Sequence, residues 1–254
     1  MTASSNQLGA PLGAGRAWRR RLRLHHLPLA LASAALLVLF MGLSPFADGG
    51  HAAISLGFEP ASLEPGSRGF ISRSTRATGY VALGLLALTL LIGPTNLLLR
   101  RRNPVSSYLR RDAGTWTAIF SVIHVILGFQ TGHRDAGAFG FLDFFFADGA
   151  PLTNRIGLGN WTGLAALVIV VGLVAISTNS SVRELKGRRW KGLQRLNYGL
   201  FALVVLHAVF YGALGMTSPF TPLFIFTVLA VLFGQATGIW LWRRRHARTA
   251  PNER

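Results

Sequence analysis

The chain has 254 residues, and only 14% of them are charged, whereas about 25% is usual for a soluble domain. The formal net charge is nevertheless +17, because 26 lysines and arginines stand against 9 acidic residues. Half of the residues are apolar and the mean hydropathy is +0.40, which argues against an ordinary soluble enzyme, and the absence of cysteine excludes disulfides, thiolate metal sites and iron–sulfur clusters.

Apolar stretches without charged residues occur five times, each long enough to provide the roughly 20 residues that a transmembrane helix needs. The fifth is about twice as long as the others, and a turn at residues 215–219, which include Gly and Pro, would divide it into two helices. We therefore predict an all-α integral membrane bundle of six transmembrane helices in residues 27–242, between basic tails at 1–26 and 243–254. The stretches are residues 27–46, 77–99, 113–132, 156–182 and 196–242.

The basic residues alternate in density along the chain. Residues 16–23, 100–111, 183–195 and 243–254 hold five, five, six and five of them, whereas the intervening loops hold five basic and six acidic residues. Because Lys and Arg near membrane spans concentrate on the cytoplasmic side, both termini are predicted to be cytoplasmic in a multi-pass protein of the inner (plasma) membrane. These runs are interpreted as topological anchors beside membrane lipid, and nucleic acid is not expected as a partner.

An aromatic cluster marks the loop before the fourth span. Five phenylalanines fall within residues 139–146. Such a segment suits the surface of a bilayer, so we predict a short interfacial element that caps the bundle. A plain loop is the alternative.

Two histidines lie inside the predicted spans, which contain no Asp or Glu. His124 and His207 each follow the last charged residue before their helix by 12 positions. Both imidazoles are therefore predicted about 18 Å from the cytoplasmic edge. An ionisable side chain is costly within a membrane and is a candidate functional group by default. The alternative is that each imidazole only hydrogen-bonds a neighbouring helix.

Two imidazoles at one depth suit haem better than zinc. A zinc site needs four protein ligands, or three and a water, and the spans offer no third ligand at that level. Haem brings four equatorial nitrogens of its own, so one His from each side completes the iron coordination. Gly128, one turn from His124, would leave room for a flat macrocycle, although glycine is also common in membrane helices for packing.

The other five histidines are not expected to join the pair. His25, His26 and His246 lie among arginine clusters and are expected at the protein surface. His51 lies in a loop without ligand-like neighbours. His133 is nine residues from His124, on the opposite face of the same helix, and a second site there is not expected.

Two segments resemble a known family. Arg188-Arg-Trp-Lys-Gly-Leu-Gln-Arg-Leu-Asn-Tyr198, followed by Leu203-Val-Val-Leu-His207, is similar to the motif W-x-x-L-H-R-L-x-Y of the ferric-reductase-like transmembrane superfamily, in which a second His follows on the next helix. Asn103-Pro104 and the later Ile123-His124-Val125 resemble the same family's earlier histidine-bearing helix. The similarity covers roughly residues 77–242 and is greatest to haem-binding membrane subunits of methionine sulfoxide reductase systems.

The resemblance implies a b-type haem with His124 and His207 as axial ligands. Two-haem members carry further histidines at inner positions, where this chain has Gln194 and Arg111, so one haem is expected. The family implies electrons from a cytoplasmic flavin reductase or from quinone, passed outward to a periplasmic molybdopterin enzyme. Loss of the inner haem makes quinone or a docked partner the more plausible donor. FMN or FAD is expected only on a partner chain, because no Gly-rich dinucleotide motif and no soluble domain follows the sixth helix.

We therefore predict an electron-transfer subunit without a substrate-converting domain of its own, and whether it is itself an enzyme stays open. Bis-His ligation leaves no open iron position, which suits electron relay better than oxygen activation. Arg134 and Arg155 stand at the outer edge, where haem propionates would emerge. The alternatives are a ferric or cupric reductase subunit of the same architecture and a transporter or assembly protein without cofactor.

Overall fold

A computed structural model of the chain describes residues 19–42, 64–99, 105–131, 137–177, 181, 184, 189, 192–215 and 220–249. The long helices of these residues are α1 (Leu27–Gly42), α2 (Arg68–Leu98), α3 (Val105–Phe129), α4 (Arg155–Ala175), α5 (Leu196–Phe210) and α6 (Phe220–Thr249). A π-helical turn, Leu22–His26, leads directly into α1. Between α3 and α4 lie a 3-10 helix, Gly137–Phe144, and a hairpin of β1 (Phe146–Ala147) and β2 (Ala150–Pro151).

Five described helical segments are long and apolar enough to cross a membrane: Arg19–Met41, Arg68–Leu98, Tyr108–Phe129, Arg155–Ala175 and Phe220–Arg245. The predicted class, an integral membrane all-α protein, is therefore confirmed. Helix α5 is equally apolar but has only 15 residues, fewer than the usual span of about 20. The sixth crossing and the sides on which the termini lie stay predictions.

The predicted division of residues 196–242 into two helices is observed, but the break comes earlier than residue 215. Gly212 adopts φ +86°, a left-handed conformation that favours glycine. The N–H of Gly212 donates to the carbonyl of Val209 and that of Ala213 to the carbonyl of Ala208, both at 2.9 Å. This pair of bonds is a Schellman motif, and it ends α5 at Phe210.

Helices α2 and α3 both begin before the predicted spans. The Ser67 hydroxyl caps α2 by accepting from the Phe70 N–H at 3.1 Å, which satisfies a free donor of the first turn. Arg68, Arg73 and Arg76, predicted in a loop, therefore lie on the first turns of α2. The earlier start of α3 likewise places an acidic residue, Asp112, inside a helix that we predicted to lack one.

Asp112 on α3 forms hydrogen bonds with the helical segment that precedes α1. Its side chain is fully buried and accepts from Arg21 Nε at 3.0 and 3.1 Å, while His25 Nδ1 lies 2.8 Å from Oδ2 and His26 Nε2 3.5 Å from Oδ1. His25 and His26, expected at the surface, are partly buried, with side chains 13% and 20% exposed. A buried carboxylate needs such partners to offset its desolvation.

Four helices form a ring around which the others pack. Helix α2 packs along α3, α4 packs along α5, and contacts of α3 with α4 and of α2 with α5 close the ring. Helices α1 and α6 lie outside it, mainly against α2. Large apolar side chains on α6 point away from the ring, with Phe226 and Phe233 70% and 76% exposed, as expected of a lipid-facing helix. Because the neighbours in the ring are α2 with α3, α3 with α4, α4 with α5 and α5 with α2, helices α3 and α5 lie diagonally across it.

The predicted cap at residues 139–146 has regular structure. The 3-10 helix places Phe144 5.4 Å from the ring of Phe129 at the end of α3. The hairpin that follows is missing from our all-α prediction, although its Asp148-Gly149 dipeptide is the typical signal of a two-residue turn. Both residues have positive φ, 51° and 77°. Position relative to a bilayer surface stays a prediction.

Candidate functional site

The two histidines of the predicted spans face each other across the four-helix ring. His124 on α3 and His207 on α5 have ring centroids 5.9 Å apart and ring planes at 86°. Metal–imidazole bonds are about 2.0 Å long, so two imidazoles on opposite sides of one metal ion place their ring centres about 6 Å apart. The observed separation matches this requirement.

Each imidazole is oriented by one backbone carbonyl on the helix that packs along its own. His124 Nδ1 lies 2.7 Å from the carbonyl oxygen of Thr75 on α2, and His207 Nδ1 lies 2.8 Å from that of Gly159 on α4. A carbonyl oxygen only accepts, so Nδ1–H is the donor in both cases. Each Nε2 therefore keeps its lone pair for a metal ion, which is the usual arrangement for a ligating histidine.

Two glycines leave the space that these imidazoles occupy. A Cβ atom at Gly79 would lie 3.0 Å from His124 Cε1, and one at Gly163 would lie 2.7 Å from His207 Nδ1. Each glycine follows the carbonyl acceptor of the same helix by four residues, about one turn. The site therefore consists of two equivalent halves, one from α2 and α3 and the other from α4 and α5.

One half of the site is tied to the segment between α3 and α4. The ring centroid of Tyr211 lies 4.9 Å from that of His207. The Tyr211 hydroxyl donates to Oδ1 of Asn160, whose Nδ2 donates to the Phe144 carbonyl at 2.7 Å. These bonds connect the environment of His207 to the 3-10 helix.

Of the other predicted site residues, the structure describes Gly128 and Arg155. Gly128 faces α2, where its Cβ position lies 3.8 Å from Thr75 Cγ2, and it does not touch an imidazole. Arg155 is exposed at the start of α4, with its guanidinium 3.8 Å from the Cβ position of Gly212. Arg134 and His133 lie outside the described residues, as does His51.

The two inner positions also come together. Arg111 and Gln194 both line a cavity of about 420 Å³ at the end of the ring where α3 and α5 begin. We call this the basic end. No histidine is among the described residues that line this cavity. Oε1 of Gln194 accepts from Nδ2 of Asn197 at 3.2 Å.

Sequence reasoning missed the partners of the histidines. The carbonyls of Thr75 and Gly159 carry no signal in side-chain chemistry, since every residue has a carbonyl. Gly79 and Gly163 carry a weak signal, because both stand one turn after the acceptor on helices that contain several other glycines. Only the contact with a ring distinguishes these two.

The donor set fits haem iron and not a protein-only metal site. In the described parts of the chain, no three His, Cys, Asp or Glu side chains come together, whereas zinc needs at least three protein ligands. Two imidazoles with their Nε2 atoms unused supply the two axial ligands that a haem iron lacks. The residues present therefore fit a haem, with His124 and His207 to hold it.

Comparisons with known proteins agree with the resemblance seen in the sequence. The family model described as "Ferric reductase like transmembrane component" matches residues 78–205. The chain is 33% identical over 174 residues to the protein-methionine-sulfoxide reductase heme-binding subunit MsrQ of Ralstonia nicotianae, covering 66% of this chain and 71% of that protein. It is 31% identical to MsrQ of Herminiimonas arsenicoxydans, covering 69% and 74%. The magnetosome protein MamZ of Magnetospirillum gryphiswaldense is 28% identical over 40% of this chain and 19% of its own length.

Proposed function

The chain belongs to the ferric reductase like transmembrane component family, and from this premise we propose that it is a haem-binding electron-transfer subunit of the inner membrane. The observation that supports this function best is the imidazole pair, with ring centroids 5.9 Å apart and each Nδ1 bonded to a carbonyl. Haem b, when bound, supplies reversible one-electron transfer. One haem per chain is proposed, because Arg111 and Gln194 occupy the inner positions.

The residues of this chain hold and orient the cofactor. His124 and His207 would hold the haem iron through their Nε2 atoms, and a haem held by two imidazoles would serve electron relay better than oxygen activation. The carbonyls of Thr75 and Gly159 keep the two rings in position and raise the basicity of their Nε2 atoms. Arg134 and Arg155 are proposed partners of the haem propionates.

Electrons are proposed to enter at the basic end and to leave at the other. We propose six crossings, with α5 as the fifth, and the distribution of Lys and Arg supports a cytoplasmic position for both termini and the basic end. The donor is quinone, or a flavin reductase chain that carries its own FMN or FAD. The proposed acceptor is a periplasmic molybdopterin enzyme that reduces methionine sulfoxide. The name of the MsrQ relatives, a heme-binding subunit of a protein-methionine-sulfoxide reductase, supports the methionine sulfoxide part of this proposal.

Absorption spectroscopy tests the cofactor. The full chain, purified from haem-replete cells, is expected to show a Soret band that shifts on reduction with dithionite, with one haem per chain by pyridine haemochromogen assay. A colourless preparation from such cells would favour the transporter or assembly alternative and would overturn the proposal.

A second candidate is a membrane subunit that reduces ferric or cupric ions outside the cell, which the description of the matching family favours. Stopped-flow reoxidation separates the two functions. The dithionite-reduced protein, freed of excess reductant, is mixed with an oxidised molybdopterin methionine sulfoxide reductase or with ferric citrate. Rapid reoxidation by the enzyme alone supports the first function, and rapid reoxidation by ferric citrate alone supports the second.

A further inference from the structure

The cavity at the basic end is separate from the imidazole pair. On each ring helix, the nearest lining residue is seven positions from the residue at the imidazole pair. On α3 this residue is Thr117, seven positions from His124, and on α5 it is Leu200, seven positions from His207. Seven residues are two turns, about 10 Å along the axis. Its volume of about 420 Å³ is within the range of small-molecule sites, roughly 300–1,000 Å³. This space is therefore large enough for a molecule of its own.

The charge of the cavity lining is positive. Arg110, Arg111 and Arg195 line it, and its described lining includes no Asp or Glu. Asp112, the next residue after Arg111, does not line the cavity, since its carboxylate is bonded to Arg21 and His25. A cavity lined by three arginines attracts an anion, and more strongly in a low-dielectric surrounding than in water.

One of these guanidinium groups has an unsatisfied donor. Arg110 Nε is buried, and it has no hydrogen-bond partner among the described residues. Buried polar atoms of this kind are rare in folded proteins and point to a missing water, ion or ligand. Because Arg110 lines the cavity, an anionic oxygen bound there is a candidate partner for this donor.

The cavity lining also includes apolar side chains. They include Leu86, Val170, Leu173 and Leu200, on α2, α4 and α5. A molecule that suits both the arginines and these side chains has an anionic group and an apolar part. Basic pockets between transmembrane helices at the cytoplasmic side are known to bind anionic lipid headgroups, and guanidinium groups bind phosphate through paired hydrogen bonds.

We propose that this cavity binds a phosphate group through Arg110, Arg111 and Arg195. Two sources supply such a group at a membrane edge: the headgroup of an anionic phospholipid, and free phosphate in solution. The inference depends on the residues of the cavity and requires no haem, so its failure would leave the Soret band and the proposed function untouched.

Native mass spectrometry and thermal unfolding of the full chain in neutral detergent test the site. The probes are phosphatidylglycerol, phosphatidylcholine, and inorganic phosphate against chloride at equal ionic strength. We expect phosphatidylglycerol or inorganic phosphate to raise the Tm by several degrees, and phosphatidylcholine and chloride not to. Stabilisation by phosphatidylglycerol alone identifies the lipid as the source, and equal stabilisation by inorganic phosphate identifies free phosphate. Equal effects of phosphatidylglycerol and phosphatidylcholine, with none from phosphate, would overturn the site.

Variants locate the effect. The double variant Arg110→Gln, Arg195→Gln is expected to weaken the binding of the stabilising probe at least 10-fold. Arg244→Gln is the matched control, because Arg244 lies on α6 outside the ring, 4.0 Å above the ring of Trp240. Unchanged binding in the double variant would overturn the assignment. A cooperative thermal unfolding transition reports whether each variant is folded, and the wild-type comparison of probes stands if one is not.

Discussion

The imidazole pair and the cavity of the basic end lie two helical turns apart on the same four helices, α2 to α5. At the pair, each ring has a carbonyl acceptor and a glycine on the neighbouring helix, so both halves present one free nitrogen. At the basic end, the corresponding positions carry Arg111 and Gln194, whose side chains supply no comparable metal ligand. The same four helices thus present two imidazoles at one level and three arginines at the other, and these side chains set the chemistry of each level.

Removal of either imidazole is expected to have the largest effect on haem binding. His207→Ala or His124→Ala is expected to abolish the Soret band, because the remaining histidine supplies only one of two axial ligands. Absorption spectra and haem content per chain measure this. His133→Ala is the control and should keep the band. Loss of the band in the control, with retention in His207→Ala, would contradict the ligand assignment.

Filling the space beside the rings should weaken the pair without removing a ligand. Gly163→Ala introduces a Cβ 2.7 Å from His207 Nδ1, and Gly79→Ala one at 3.0 Å from His124 Cε1. Both distances are below ordinary van der Waals contact, so the rings must shift. We expect several-fold lower haem occupancy, and a larger loss in Gly163→Ala than in Gly79→Ala.

Matched controls exist on the same two helices. Gly172 on α4 and Gly84 on α2 have no atom within 4 Å of their Cβ positions. Gly172→Ala and Gly84→Ala should therefore keep full haem occupancy, and helix propensity should make them slightly stabilising. Equal haem loss in all four variants would show that the contact with the rings is not the cause.

A change at the basic end should affect stability and leave the haem in place. Asp112→Asn removes the charge to which Arg21 and His25 are bonded. We expect a loss of about 2 kcal/mol in the free energy of unfolding, since hydrogen bonds to charged groups contribute about 1.5–3 kcal/mol. Thermal unfolding measures the loss. Asp148→Asn, at an exposed turn whose positive φ suits Asn, should have no such effect, and a large loss of haem in Asp112→Asn would contradict the separation of the two levels.

The smallest expected effect comes from two tyrosine hydroxyls, one at each level. Tyr211→Phe removes the hydrogen bond to Asn160 beside His207, and Tyr198→Phe removes one to Gln235 at 3.2 Å near the basic end. Both rings are about half exposed, so each change should cost at most about 1 kcal/mol. Only Tyr211→Phe should shift the haem midpoint potential, as measured by redox titration. Equal shifts in both variants would contradict the local role of Tyr211.

Much of the fold was predictable because membrane spans are strongly apolar. The uncharged stretches predicted the long helices, and His124 and His207 stood out as ionisable groups inside them. Gln235, another polar residue in a predicted span, joins helices by donating to the Leu90 carbonyl at 2.7 Å. Helix starts were less predictable. Helices α2 and α3 begin within polar sequence, where the Ser67 hydroxyl caps α2 and Asp112 accepts a hydrogen bond from Arg21.

By itself, the sequence determined the membrane-embedded helical class, the alternation of basic segments and the two histidines at matching distances from charged residues. These features are local, since composition and spacing along one helix suffice to express them. Only the tertiary structure decided that α3 and α5 face each other across a ring, that the carbonyls of Thr75 and Gly159 orient the rings, and that Arg111 and Gln194 share one cavity. Such relations depend on how separate helices pack, and no single segment encodes the position of its neighbours.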